Sequence, residues 1–229
     1  MERFQKLGLS GEELTNTILA LMVTSSVELF IATTNAFNLY LDTEHEGGLV
    51  QVSKAGDKTK LSGYVYEALR VDGPFRGVFR SFNSSTQVPA RLTPQTGTSD
   101  KNQVINGKAV SKGDRILLDL GEANSDPSVF PNPNVVDVRR GHHNILFDDG
   151  VFGHIGEALT VKIVTETLSA VFSLEEVHRG PGQSGTLQRF KDSNRPELSH
   201  AYLDDAQLIS EVPGSLTVLY TPAKKPVRA

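Results

Sequence analysis

The chain has 229 residues, of which 38% are hydrophobic and 22% charged, with a net charge of −4. That composition describes a globular chain able to bury a core, and it excludes a disordered, collagen-like or broadly basic nucleic-acid-binding protein. The absence of cysteine excludes disulfides, thiolate metal sites and cysteine nucleophiles, and the absence of tryptophan with 7% aromatics argues against an aromatic-lined groove.

The first residues carry charges of both signs and no apolar run, so they do not read as a secretory signal. From Leu14 to Leu41 the only charge is Glu28, yet Thr15, Asn16, Thr17, Thr24, Ser25, Ser26, Thr33, Thr34, Asn35 and Asn38 interrupt the stretch. Such polarity is expensive in hydrocarbon. A long helix buried in protein is therefore expected, not a membrane span. Ser10 suits its N-cap and Glu12 and Glu13 its first turn. The helix is expected to run to about Asp42, with a break at Gly47-Gly48.

A second helix fits Lys60 to Val71, ended by Gly73-Pro74. Val78, Phe79 and Phe82 read as a short strand, and residues 83–102 as an exposed insertion rich in Ser, Thr, Pro and Gly. Asn106-Gly107 between Val104-Ile105 and Lys108–Val110 signals a hairpin. Lys112-Gly113-Asp114 reads as a turn into a strand over Arg115–Leu120. Residues 121–155 read as an extended meander, and helical spacing returns from about Gly156 to Phe172. Short strands close the chain, Ser215–Tyr220 the clearest of them. The expected class is mainly α with small antiparallel β-sheets, an α+β chain.

No Gly-rich phosphate loop, Gly-x-Ser-x-Gly elbow or His-Glu-x-x-His zinc helix occurs. His142, His143 and His154 read as loop-surface residues in preference to a metal cluster. Glu67 and Arg70, at i and i+3, share one helix face and can pair. Beyond Gly73-Pro74 comes Arg80. Then follow Ala123-Asn124-Ser125-Asp126-Pro127-Ser128-Val129-Phe130-Pro131-Asn132-Pro133 and Val136-Asp137-Val138-Arg139-Arg140. Phe147-Asp148-Asp149-Gly150-Val151-Phe152-Gly153-His154-Ile155-Gly156-Glu157 completes the order.

In this order the segments resemble the C-terminal half of a cytochrome P-450. Glu67 and Arg70 match the family's Glu-x-x-Arg, and Arg140 matches the meander arginine that joins them in a structural cluster. Phe147, Gly150 and Gly156 match the haem-binding loop, and the Leu14–Leu41 helix falls where the family has its I helix. The resemblance implies a partial cytochrome P-450-like domain over 1–229. Its parts would be an I-helix-like segment at 11–43, a K-helix-like one at 60–72, the meander and haem loop at 121–156, and an L-helix-like one at 156–173. Met22–Val27, Tyr64–Arg80 and the Val-Asp-x-x-Arg meander are similar, more narrowly, to fungal linoleate diol synthases, fusions of a haem dioxygenase with a cytochrome P-450-like domain.

That resemblance implies haem b as cofactor, with Arg80, Phe147, Gly150 and Gly156 around it. It implies a fatty acid or fatty-acid hydroperoxide as substrate in oxylipin chemistry, a haem dioxygenase domain or chain as partner, and an intracellular location, cytoplasmic or peripheral to a membrane. Because only the family's later half is matched, either a truncated product or a second polypeptide working with a partner is expected. Two positions depart from the pattern. The thiolate cysteine would fall at 154, which is His154, and the arginine or histidine two residues earlier is Phe152. A thiolate pushes electron density onto iron, and imidazole does so less well. Three readings of His154 stay open: a loop residue with no haem, an imidazole ligand to haem iron, or a surface residue of a fragment that does not fold alone. No acid–alcohol pair occupies the matching I-helix register; Ser25, Ser26 and Glu28 are the nearest polar candidates for catalysis. The expected function is a haem-dependent oxidoreductase of the diol synthase type, impaired at position 154. The alternative is an inactive pseudo-domain that keeps the fold and binds lipid or a partner.

Overall fold

A computed structural model describes residues 8–81, 86–88, 108–110, 112–140 and 153–222. The first helix, α1, spans Gly11–Tyr40. Ser10 and Glu13 close a reciprocal capping box at its start, Ser10 N–H donating to Glu13 Oε2 at 2.8 Å and Glu13 N–H to Ser10 Oγ at 3.2 Å. The hydroxyls of Thr15, Thr17, Thr33 and Thr34 donate to carbonyls one turn back, so these four polar side chains are satisfied within the helix itself. Its second half is the buried half, through Ile31, Ala32, Asn35, Ala36 and Tyr40. No helix among the described residues is long and apolar enough to cross a membrane.

The next helix, α2 (Glu46–Ala55), overturns the expected break at Gly47-Gly48. The second glycine is there for packing: a Cβ on Gly48 would stand 2.5 Å from the Tyr64 hydroxyl oxygen. The helix stops instead at Gly56, whose φ of 68° closes the C-terminus in the left-handed conformation. Asp57 then caps α3 (Lys58–Asp72), which Gly73-Pro74 ends as expected. A short α4 (Leu120–Asn124) opens what reads in sequence as continuous meander, capped by Asp119. The last helix, α5, spans Gly153–Phe172 and starts three residues before the expected Gly156. The backbone of position 154 therefore lies in a first helical turn, not in a loop.

Helices α1, α2, α3 and α5 enclose the main core, with Tyr40, Leu49, Leu61, Val65, Leu168 and Phe172 at its centre. Tyr40 donates its hydroxyl to the Tyr64 carbonyl at 2.6 Å, and Phe37 stacks on Phe172 with ring centroids 5.6 Å apart. These contacts join α1 to α3 and α5.

Among the described residues the strands form four small antiparallel sheets. In one, β1 (Gly77–Ser81) faces β4 (Arg115–Asp119), with Phe79 opposite Leu117. In the second, β2 (Thr86–Val88) pairs with β3 (Lys108–Val110). So the partner of 108–110 is a strand inside the supposed 83–102 insertion. Phe82, Val104-Ile105 and Asn106-Gly107 lie outside the described residues. The third pairs β5 (Glu175–Arg179) with β9 (Val218–Thr221). This shifts the closing strand past the expected Ser215–Tyr220, because Ser215, Leu216 and Thr217 run without strand pairing. The fourth holds β6 (Arg189–Phe190), β7 (Ala201–Leu203) and β8 (Ile209–Ser210) in that order. The architecture is α+β with helices dominant.

Candidate functional site

Helix α3 turns one densely packed side inward, and its buried face carries a charge pair. Glu67 and Arg70 have side chains only 4% and 2% exposed. Arg70 Nε donates to Glu67 Oε1 at 2.7 Å and Nη2 to Oε2 at 2.9 Å, a bidentate pair. The remaining guanidinium N–H groups reach three main-chain carbonyls: Nη1 those of Asn124 and Pro133, at 3.0 and 2.8 Å, and Nη2 that of Val135, at 3.3 Å. The Phe130 ring lies 5.2 Å from the guanidinium carbon.

Glu67 Oε2 also accepts the Asp137 N–H at 2.8 Å, and Arg140 Nε stands 3.5 Å away. Arg140 Nη2 donates in addition to the carbonyls of Asn132 and Val135. Glu67, Arg70 and Arg140 are thus brought together, and between them they tie residues 124–137 to α3. One turn before Glu67, Gly63 lets the other side of the meander approach. A Cβ there would stand 2.5 Å from the Val138 carbonyl oxygen. Buried charges of this kind hold only when every donor and acceptor is matched, as they are for Arg70.

A second link joins α3 to the start of α5. Tyr66 donates its hydroxyl to Glu157 Oε1 at 2.7 Å. Burial, with the carboxylate's hydrogen bond and charge, pushes the Tyr66 phenol up to about 12. Position 154 lies one helical turn before Glu157, so this link anchors the helix turn that bears His154.

The other sequence candidates are more scattered. Glu28 is half-buried on α1, and burial holds its carboxyl above the ordinary value of 4.5. Ser26 is exposed on the same helix, and Ser25 lies in the preceding position of the α1 backbone. Arg80 is exposed on β1, with Nη1 donating to the Phe79 carbonyl at 3.1 Å. Gly156 belongs to the first turns of α5. Phe147, Gly150, Phe152, His142 and His143 lie outside the described residues.

Sequence reasoning missed two polar joints. Arg179 on β5 closes the C-terminal end of α1, donating to the carbonyls of Asn38, Leu41 and Gly185 and to Asn38 Oδ1. Asn35, Asp72, Arg189 and Tyr202 meet under the three-stranded sheet. The signal available was an asparagine among the alanines of α1 and an aspartate at the last residue of α3.

This order of helices and small sheets, with a buried Glu–Arg pair clamping a meander, is the fold of the C-terminal half of a cytochrome P-450. The P450 heme domain of Tepidiphilus thermophilus superposes over 86% of this chain and 42% of its own length, with a TM-score of 0.64 and 20% identity. A versatile cytochrome P450 enzyme from Bacillus subtilis superposes over 84% of this chain and 46% of its own length, with a TM-score of 0.63 and 22% identity. No protein-family model matches the chain.

In sequence, the chain is similar to fungal oxygenases. A bifunctional dioxygenase–epoxy alcohol synthase from Fusarium oxysporum is 29% identical over 194 residues, which are 81% of this chain and 14% of that protein. The psi-producing oxygenase A of Aspergillus fumigatus is 26% identical over 176 residues, 73% of this chain and 15% of that protein. The matched region is thus a small part of these relatives' length. A biotin biosynthesis cytochrome P450 of Bacillus subtilis is 36% identical over 66 residues, 29% of this chain and 15% of its own length.

The fold implies a haem held by a cysteine thiolate, and the donor set of this chain does not fit that group. The chain has no cysteine anywhere, so no shift of register supplies the sulfur. The residue available near the start of α5 is a histidine.

Proposed function

We propose that this chain is part of a cytochrome P-450-like oxidoreductase domain of the fungal dioxygenase-fusion type, with unsaturated fatty-acid hydroperoxides as its substrate class. In this reading its thiolate-dependent chemistry is lost. What carries the reading is the pairing of a retained clamp with an absent sulfur. Glu67, Arg70 and Arg140 hold the meander to α3, while the sequence contains no cysteine. Relatedness over 81% of the chain to a dioxygenase–epoxy alcohol synthase supports the substrate class and a dioxygenase domain as partner.

The missing cysteine equally favours a second reading. In it the domain is a catalytically inactive scaffold that keeps the fold and binds lipid or its dioxygenase partner. One experiment separates the two. Purified protein is mixed with stoichiometric haem and its visible spectrum recorded. A Soret band that His154→Ala removes supports haem held at position 154 and the oxidoreductase reading. No band at stoichiometric haem supports the scaffold. His154→Cys is expected to give a carbon-monoxide adduct of thiolate type, and its failure to do so removes position 154 as the ligand site.

A further inference from the structure

Helices α1 and α3 and the three-stranded sheet meet at a buried polar joint. Asn35 Nδ2 donates to the Asp72 carbonyl at 3.1 Å, and Asn35 Oδ1 accepts the Tyr202 hydroxyl at 3.0 Å. Asp72 Oδ2 accepts from Arg189 Nη1 at 2.6 Å. The other carboxylate oxygen, Oδ1, faces His200 Nδ1 at 3.6 Å, too far for a hydrogen bond. That buried nitrogen has no hydrogen-bond partner among the described residues. The His200 side chain is 21% exposed. On its open side lies a cavity of about 210 Å³, lined also by Asp72, Arg76, Glu122, Lys191 and Ser199.

The charges around His200 decide how it responds to a proton. From α3 comes Asp72, whose carboxylate is already matched by Arg189 of β6. Lys191, just beyond β6, adds a second cation, and Tyr202 of β7 brings its ring to 6.4 Å. Across the cavity Arg76 is paired with Asp119 and Glu122. A proton on His200 therefore puts a third cation beside one carboxylate, in a half-buried place.

We propose that His200 is an acid-sensitive latch: neutral, it lets β7 pack against the end of α3; protonated, it loosens the three-stranded sheet there and opens the adjoining cavity. Burial, foremost, and then repulsion by Arg189 hold the imidazole below its ordinary value of 6.5; Asp72 pulls the other way, and Lys191 adds a smaller downward push. The sign follows from linkage. The folded state binds the proton less readily than the unfolded chain. The contribution to stability is therefore complete above the unfolded value and is lost as pH falls below it, toward the lowered folded value.

Amide hydrogen exchange of the whole chain, followed by mass spectrometry at pH 7.5 and pH 5.5 and corrected for intrinsic rates, tests this. Peptides covering 201–203 are expected to lose protection about threefold or more at the lower pH, while the centre of α5 keeps its protection. His200→Gln is expected to abolish that difference. Unchanged protection of 201–203, or the same loss in His200→Gln, overturns the latch. Should the variant not fold, the His200 resonance of the wild-type chain is titrated by NMR. A midpoint below about 6.5 supports the latch, and a midpoint at or above it overturns it.

Discussion

Glu67 and Arg70 form a bidentate pair inside the protein, with N–H···O distances of 2.7 and 2.9 Å and almost no exposure of either side chain. Removing one partner leaves the other as an uncompensated buried charge, which costs about 3–5 kcal/mol. A domain of this size holds only about 5–15 kcal/mol in total. Glu67→Ala is therefore expected to unfold the chain or bring it close to unfolding, as urea denaturation followed by circular dichroism would show. A soluble variant with an unchanged melting profile refutes a structural role for Glu67.

Gly63 offers a test of the same joint without touching charge. The Val138 carbonyl oxygen would be 2.5 Å from a Cβ at position 63, and a main-chain atom cannot swing aside as a side chain can. Gly63→Ala should gain in helix propensity yet still destabilise, by about 1–3 kcal/mol, because the meander must shift away from α3. The check is the midpoint of urea unfolding, together with the Asp137 amide signal in NMR, which reports the bond to Glu67. A stabilised Gly63→Ala chain contradicts the close approach.

Local signals explain why some of this was legible in the sequence. Ser10, Glu12 and Glu13 mark the start of α1 because a cap needs a side-chain acceptor and a dipole-compatible first turn, and both are written within four residues. Gly73-Pro74 ends α3 for equally local reasons. The pairing of Glu67 with Arg70 follows from helical spacing, but the joining of Arg140 does not: it came from resemblance, since nothing in residues 71–139 dictates the return path. Gly47-Gly48 misled because its composition says break, while the close approach of Tyr64 says packing, and packing is tertiary. The pairing of Lys108–Val110 with Thr86–Val88 is not legible for a related reason: its register is set across a segment of turn-forming residues that carries no strand pattern. Asp72 and Arg189 are 117 residues apart, and no local pattern announces such a pair.

Glu28 gives a prediction whose sign depends on pH. It is half-buried on α1, and burial raises its carboxyl pKa above the ordinary 4.5. A raised acid binds its proton more tightly in the folded state than in the unfolded chain. Stability therefore falls as pH climbs from the unfolded value through the raised folded one, and the loss persists at neutral pH. Glutamine keeps the shape and cannot ionise, so Glu28→Gln should melt higher than the wild type at pH 7. The advantage should vanish near pH 4, where the wild-type carboxyl is protonated in the folded chain. Scanning calorimetry at the two pH values reads this directly. Equal melting at pH 7, or a gain that persists unchanged at pH 4, would mean that burial of the Glu28 carboxylate does not limit the stability of α1.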